Sequence, residues 1–200
     1  PPRSTLFPYT TLFRSPTLRK YYQFWGFTYS SGNPVLYSAK LLRIALQNEE
    51  AKLRASGQST GMFSRMVIVG HSMGGLIAKA MVLDPGENLI EPIIGKKPEE
   101  VLEKLTLEQR EAVKSTLCFK PLPFVKREVF LAVPHRGSEF ADSWIGQFGS
   151  ELVDLPVALV TRGDGIIKTL MNQGVMMPND SRLATGIEDL DPNSRTLQVL

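Results

Sequence analysis

One serine of the chain stands in a pattern that chemistry can use. The segment Gly70-His71-Ser72-Met73-Gly74 follows an apolar run at 66–69 and precedes small residues that predict a helix over 75–82. A serine on such a tight turn holds its hydroxyl clear of the backbone, and glycines two residues to either side leave the turn room. The N–H behind the serine then faces the place where an acyl oxyanion forms. The pattern therefore predicts Ser72 as a nucleophile and Met73 as a backbone oxyanion donor.

The same segment has simpler interpretations. A glycine-rich turn between a strand and a helix can carry a serine that has no chemical role. A phosphate-binding loop gains no support, because neither G-x-G-x-x-G nor Gly-Lys-Ser/Thr occurs. Small residues at Gly74, Gly75 and Ala78, where a helix must pass close to a sheet, favour the nucleophile turn.

Partners for Ser72 are scarce, because the chain has only two histidines. His71 adjoins the serine and is predicted to be a packing residue. His135 follows a predicted strand at its carboxyl end, but nucleophile turns of this kind order their triad as serine, acid, histidine. We expect His135 to make a structural hydrogen bond in its turn. Glu139 and Asp142 are candidate acids near the site, although both also suit the first turn of a helix.

The predicted elements before Ser72 are a strand and a helix. The aromatic run at 24–29 is typical of a strand. Asn33 can cap a helix and Pro34 suits its first position. Apolar residues at helical spacing continue this helix to about residue 55, and Gly57 is a candidate C-cap.

After the serine, a polar insertion covers 87–123, and one helix in it is predicted to run from Pro98 to Leu117. A third apolar strand follows at 129–133. Strands apolar on both faces are typical of parallel sheets covered by helices on both sides. The β-α-β-α-β order thus predicts a doubly wound, mostly parallel α/β fold.

The remaining helical patterns lie at 139–155 and at 193–200. The first of them carries an aromatic stripe, Phe140, Trp144 and Phe148. This stripe is interpreted as a core face, with a mobile lid over the site as the alternative.

Composition sets outer limits on function. The 200 residues are 42% hydrophobic, which suits one domain with a real core. The single cysteine, Cys118, excludes an internal disulfide and any cysteine-based metal site. No apolar run approaches the length of a membrane span. No cluster of basic residues favours nucleic acid, and no metal or cofactor site is predicted.

Residues 1–15 fit poorly with the rest of the chain. The stretch TLFPYTTLFRS at 5–15 resembles the in-frame translation of a sequencing-adapter oligonucleotide, so we expect 1–15 to be non-native. Without Arg3 and Arg14 the balance is 21 basic against 20 acidic residues. The predicted domain is therefore 16–200, truncated at both ends.

Two motifs together resemble the lipase-type α/β-hydrolases. They are GHSMGG at 70–75 and VPHRGSEFAD at 133–142, and the layout around 119–138 is similar to uncharacterised bacterial α/β-hydrolases, some of them lipoproteins. The resemblance implies a partial α/β-hydrolase fold with helical insertions, a Ser-Asp/Glu-His triad and hydrolysis of carboxylic esters. It transfers only the serine, onto Ser72, because the usual His-Gly oxyanion loop has no match.

The leading hypothesis is a serine hydrolase of small-molecule or lipid esters whose acid and histidine lie outside the fragment, which alone is expected to be inactive. An amidase, a thioesterase or a GPI-inositol-deacylase-like enzyme on the same scaffold stays open. So does a catalytically silent binding module. The sequence leaves the compartment open between cytoplasm, periplasm and a membrane-anchored lipoprotein, and it leaves the oligomeric state open.

Overall fold

A computed structural model of the chain describes residues 13–30, 33–137 and 190–200. These residues form a mixed helix and strand fold around one two-stranded sheet. The elements in chain order are α1 (Pro16–Tyr21), α2 (Val35–Ala55), β1 (Met66–His71), α3 (Met73–Lys79), α4 (Ile90–Ile94), α5 (Pro98–Leu102), α6 (Leu107–Leu117), β2 (Val125–Leu131) and α7 (Arg195–Val199).

The two strands run parallel, which confirms the parallel pairing but not the wider sheet. The register pairs Met66 with Val125 at one end and His71 with Leu131 at the other. Parallel neighbours need a crossover connection, and here α3 to α6 provide it. The expectation that helices cover both faces is not met in the described residues, since Val69 on β1 is 42% exposed.

The core lies where α2 and α3 pack together and α3 packs on β1. Apolar residues of these elements and of the insertion share one cluster, which includes Val35, Leu76, Ile77, Met81, Val101 and Val113. Burying each such side chain contributes about 1.5–3 kcal/mol relative to leaving it exposed. The helix after Ser72 is therefore fixed by packing on both its sheet side and its α2 side.

Helix α2 matches its predicted span, with different caps. Pro34 is the N-cap residue and no side chain caps this end, so the predicted capping role of Asn33 is wrong. Ser56 is the C-cap, and Gly57 follows it with φ +69°. The N–H groups of Gly57 and Gln58 donate to carbonyls in the last helical turn, which is the Schellman arrangement that favours glycine there.

The aromatic run at 24–29 is a second correction, because it forms no strand. A strand needs a hydrogen-bonded neighbour, and this run pairs its rings instead. The Trp25 ring lies 5.9 Å from the ring of Phe63, and Phe27 stacks on Tyr29 at 5.8 Å. The aromatic residues at 24–29 thus form ring contacts and do not form a strand.

The insertion and the second strand also differ from their predicted bounds. The predicted helix at 98–117 is two helices, because Thr106 and Gln109 form a capping box that starts α6 anew. Strand β2 spans 125–131 rather than 129–133. The charged residues in the first half of β2 do not form an apolar run, so the sequence pattern placed the start of the strand too late. The strand ends before Ala132, which has φ +48°.

The predicted helix at 139–155, with its aromatic stripe, lies outside the described residues. Among the helices that are described, none is both long enough and apolar enough to cross a membrane.

Candidate active site

Ser72 occupies the turn between the end of β1 and the start of α3. Its backbone has φ +52° and ψ −130°, as the tight turn predicts. Its N–H donates to the carbonyl of Leu131 at 3.0 Å, and its own carbonyl accepts from the N–H of Gly75 at 2.9 Å. A non-glycine residue at positive φ is strained by about 1–3 kcal/mol, and such strain clusters at functional sites. The structure thus holds Ser72 on a strained turn between a strand and a helix.

Close contacts require two of the glycines around Ser72, Gly70 and Gly75. A Cβ on Gly70 would lie 2.5 Å from the Cα of Gly75, and a Cβ on Gly75 would lie 2.0 Å from Val133 Cγ2. At Gly74 the nearest atom to an added Cβ is the Tyr29 hydroxyl, at 3.3 Å. Gly70 and Gly75 therefore let the helix pass directly behind the strand, while Gly74 is the less constrained of the three.

Ala132 is a second strained residue beside the first. It follows β2 as Ser72 follows β1, and it has φ +48°. The pairing of His71 with Leu131 places the two residues next to each other at the same sheet edge. Nothing in the apolar run at 129–133 predicted this strain, since alanine has no special tendency toward positive φ.

Val133 connects the two sequence motifs in the structure. Its side chain packs against Gly75, so the run that begins at 133 covers the start of α3. Farther along, a Cβ on Gly137, which has φ +83°, would lie 2.4 Å from the Cα of Pro192. The structure thus brings the GHSMGG and PHRG segments together at the carboxyl edge of the sheet, where ligand sites of open α/β sheets form.

Met73, the residue predicted to be the backbone oxyanion donor, follows Ser72 directly. Met73 is the first residue of α3, and its side chain is buried. The first N–H groups of a helix have no intrahelical acceptor. Within the described ranges no hydrogen bond uses the Met73 N–H. It can therefore donate to an oxygen bound beside Ser72.

Neither histidine completes a dyad with Ser72 in the described part of the chain. No hydrogen bond there joins a histidine ring to the Ser72 hydroxyl. The His135 ring packs edge-on against Phe130, with ring centroids 4.8 Å apart. The backbone N–H of His135 donates to the carbonyl of Val133 at 3.0 Å. His135 thus serves the turn. Glu139 and Asp142 lie outside the described residues.

Tyr29 lies next to the Ser72 turn, and the sequence analysis did not predict this. It belongs to the aromatic run that was predicted as a strand, and its hydroxyl lies beside Gly74 at the start of α3. The side chain is half-buried and stacked on Phe27. Its position at the end of an aromatic run, just before a turn, was the only available signal.

Glu128, a carboxyl group with a raised pKa, lies on the same sheet but away from Ser72. Burial raises the pKa of Glu128 to about 7, and the nearby Lys79 offsets part of that rise. Glu128 pairs in register with Ile68, four residues before Ser72. At about 3.3 Å per strand residue it lies roughly 13 Å from the serine, too far to orient a catalytic histidine.

The part of the chain that the structure describes contains no group of three or more His, Cys, Asp or Glu residues suited to a metal ion. No protein-family model, curated protein or solved structure matches this chain.

Proposed function

We propose that the protein is a serine hydrolase of carboxylic esters, of the lipase or esterase type. One observation carries the proposal, namely Ser72 at φ +52° between the end of a parallel strand and the start of a helix. The close contacts at Gly70 and Gly75 support it, because they keep a strained serine in place at the edge of the sheet.

In the proposed reaction, Ser72 Oγ attacks the acyl carbonyl of the ester. The carbonyl oxygen becomes an oxyanion, and the Met73 N–H donates to it. A histidine removes the serine proton and returns it to the leaving alcohol, and an acid orients that histidine. Within the described residues, no hydrogen bond joins a histidine to Ser72. Water then releases the acyl group as a carboxylate by the same steps.

The proposal includes a larger fold than the described strands. Strands β1 and β2 would be the middle of a doubly wound, mostly parallel sheet of the α/β-hydrolase kind. Residues 87–117 would be a helical insertion on that scaffold. The resemblance of the two sequence motifs to lipase-type hydrolases supports this extension.

Hydrolysis of p-nitrophenyl esters of graded chain length tests the proposal in the protein expressed from its complete gene. Ser72→Ala should lower kcat/KM by at least about 10³-fold, because no other hydroxyl occupies the turn. Ser64→Ala is the matched control, since this exposed serine precedes the same strand and its hydroxyl donates to the Gly61 carbonyl. It should leave turnover unchanged.

The same assay separates the competing functions. Turnover of anilides or thioesters in place of esters, again abolished by Ser72→Ala, would assign an amidase or a thioesterase. Ester turnover that persists in Ser72→Ala would contradict the proposed nucleophile. Absence of turnover on all three classes would favour a binding module.

A further inference from the structure

A groove lies at the opposite end of α3 from Ser72. It has a volume of about 390 Å³ and separates α2 from the end of α6 and the segment that leads to β2. Its lining includes Lys40, Arg43, Ile44, Ser115, Phe119 and Lys120. At 1.5 Å per helical residue the two ends of α3 are on the order of 10 Å apart, so the groove is distinct from the serine.

Arg43 is the unusual member of this groove, because its charged side chain is 7% exposed. One guanidinium nitrogen, Nη2, donates to the carbonyl of Ala80, and the Cζ atom lies 4.0 Å from the Phe119 ring centroid. The other two nitrogens, Nε and Nη1, are buried without a hydrogen-bond partner.

No carboxylate forms an ion pair with Arg43 in the described residues. Moving a charged group from water into the protein interior costs free energy, and this cost is offset only when the group is paired with an opposite charge and fully hydrogen-bonded. Burial lowers the pKa of Arg43 to about 10, so the guanidinium still carries its charge at neutral pH. Arg43 thus places a permanent cation beside the groove, and its two unpaired donors can reach a ligand there only when the side chain turns toward the groove.

One of the two lysines in the lining adds positive charge beside Arg43 that no carboxylate offsets within the described residues. This lysine is Lys40, whose Nζ donates to the hydroxyl of Thr116 at 3.3 Å. Lys120 lies at the exposed side and pairs with Asp84. The acid of the groove, Glu50, already pairs with Arg54 at 2.7 Å. The electrostatic environment therefore favours an anion.

We propose that this groove binds an oxyanion, a carboxylate or a phosphate, carried on a short apolar body, with Arg43 as its anchor. Shielded guanidinium donors form the strong class of charge-assisted hydrogen bonds with such groups. The apolar wall of Ile44, Phe119 and Leu122 suits an alkyl or aryl portion beside the charged head. The inference does not depend on the role of Ser72.

Calorimetric titration with three probes tests the site: octyl phosphate, inorganic phosphate and the uncharged octyl glucoside. We expect octyl phosphate to bind and octyl glucoside not to bind. Arg43→Met, which keeps an apolar chain against Phe119, should weaken octyl phosphate binding at least about tenfold. Lys52→Met is the matched control on the same helix, because neither Lys52 nor its partner Glu49 lines the groove, and it should bind as the wild type does.

The probes also distinguish a free anion from an amphiphile headgroup. Inorganic phosphate binding as tightly as octyl phosphate would support the site for free anions, and tail-dependent binding would support it for amphiphiles.

Equal affinity in Arg43→Met and the wild type, or equal binding of octyl glucoside, would overturn the proposal. If Arg43→Met loses its fold, Lys40→Met should weaken binding about threefold, from loss of one nearby charge, and unchanged affinity there would overturn it too.

Discussion

The two ends of helix α3 are held by different forces. At its first residue, Met73, the helix is fixed by backbone contacts among Gly70, Gly75 and the strained Ser72. At its last residue, Lys79, it is surrounded by charge, with Arg43 on the following carbonyl of Ala80 and Glu128 beside the lysine. The first end depends on shape and the second end on ionisation.

The two ends of α3 should therefore be disrupted by different changes. A steric arrangement tolerates changes of pH and fails when one methyl group is added. An electrostatic arrangement tolerates small changes of volume and responds to protons and anions. Changes at one end should therefore leave the characteristic response of the other end intact.

The largest effect is expected from Gly70→Ala. The new Cβ would lie 2.5 Å from the Cα of Gly75, so strand and helix must separate. Overpacking of this kind against rigid backbone should lower the free energy of unfolding by about 3 kcal/mol, measured by urea denaturation. The loss should be the same at pH 5 and pH 8.

Gly26→Ala is the control, because nothing lies within 4 Å of a Cβ added at Gly26. It should change the free energy of unfolding by less than about 0.5 kcal/mol. A Gly70→Ala protein as stable as Gly26→Ala would mean that the helix does not pass behind the strand as described.

The charged end should respond to pH through Glu128. Its pKa is raised from 4.5 to about 7, so the native protein keeps a proton that the unfolded chain has lost between these values. Stability from this group is therefore present below pH 4.5 and falls as the pH rises to 7. Glu128→Gln should remove that fall and be more stable than the wild type at pH 8, by about 1 kcal/mol after allowing for solvent screening.

Thermal unfolding of Glu128→Gln at pH 4 and at pH 8 checks this prediction. The difference from the wild type should vanish at pH 4, where both side chains are uncharged. Glu103→Gln, an exposed carboxyl, should show no such pH dependence. A constant difference at both pH values would mean that Glu128 is not perturbed by burial.

The smallest effect is expected from removing residues 1–15, of which the structure describes residues 13–15. Phe13 contacts Phe24 at the surface, and Ser15 accepts from the N–H of Leu18 as the cap of α1. Deletion should change the free energy of unfolding by less than about 0.5 kcal/mol. A larger loss by urea denaturation would assign this segment a structural role.

The first end of α3 was largely predictable from sequence, and the second was not. The spacing of Gly70, Ser72 and Gly74 encodes a local turn, so its strained backbone could be expected from the pattern alone. The burial of Arg43 depends on Ala80 and Phe119, residues far apart in sequence. No periodicity in α2 distinguishes Arg43 from a solvated arginine.

The same contrast between local patterns and distant contacts applies elsewhere in the fold. The span of α2 was predicted correctly, because it follows from helical spacing within one segment. The aromatic run at 24–29 was predicted as a strand, but strand formation requires a neighbour that a local pattern does not specify. Ala132 lies at positive φ because of where β2 ends against β1, which again only the assembled sheet determines.

Fluorophosphonate labelling tests the central claim, that the strain at the first end of α3 presents a nucleophile. The protein from the complete gene is treated with the probe, and the labelled peptide is identified by mass spectrometry. The account predicts modification of Ser72 alone, lost in Ser72→Ala and retained in Ser64→Ala. Labelling that persists in Ser72→Ala, or an unmodified Ser72 in a folded and ester-hydrolysing protein, would contradict it.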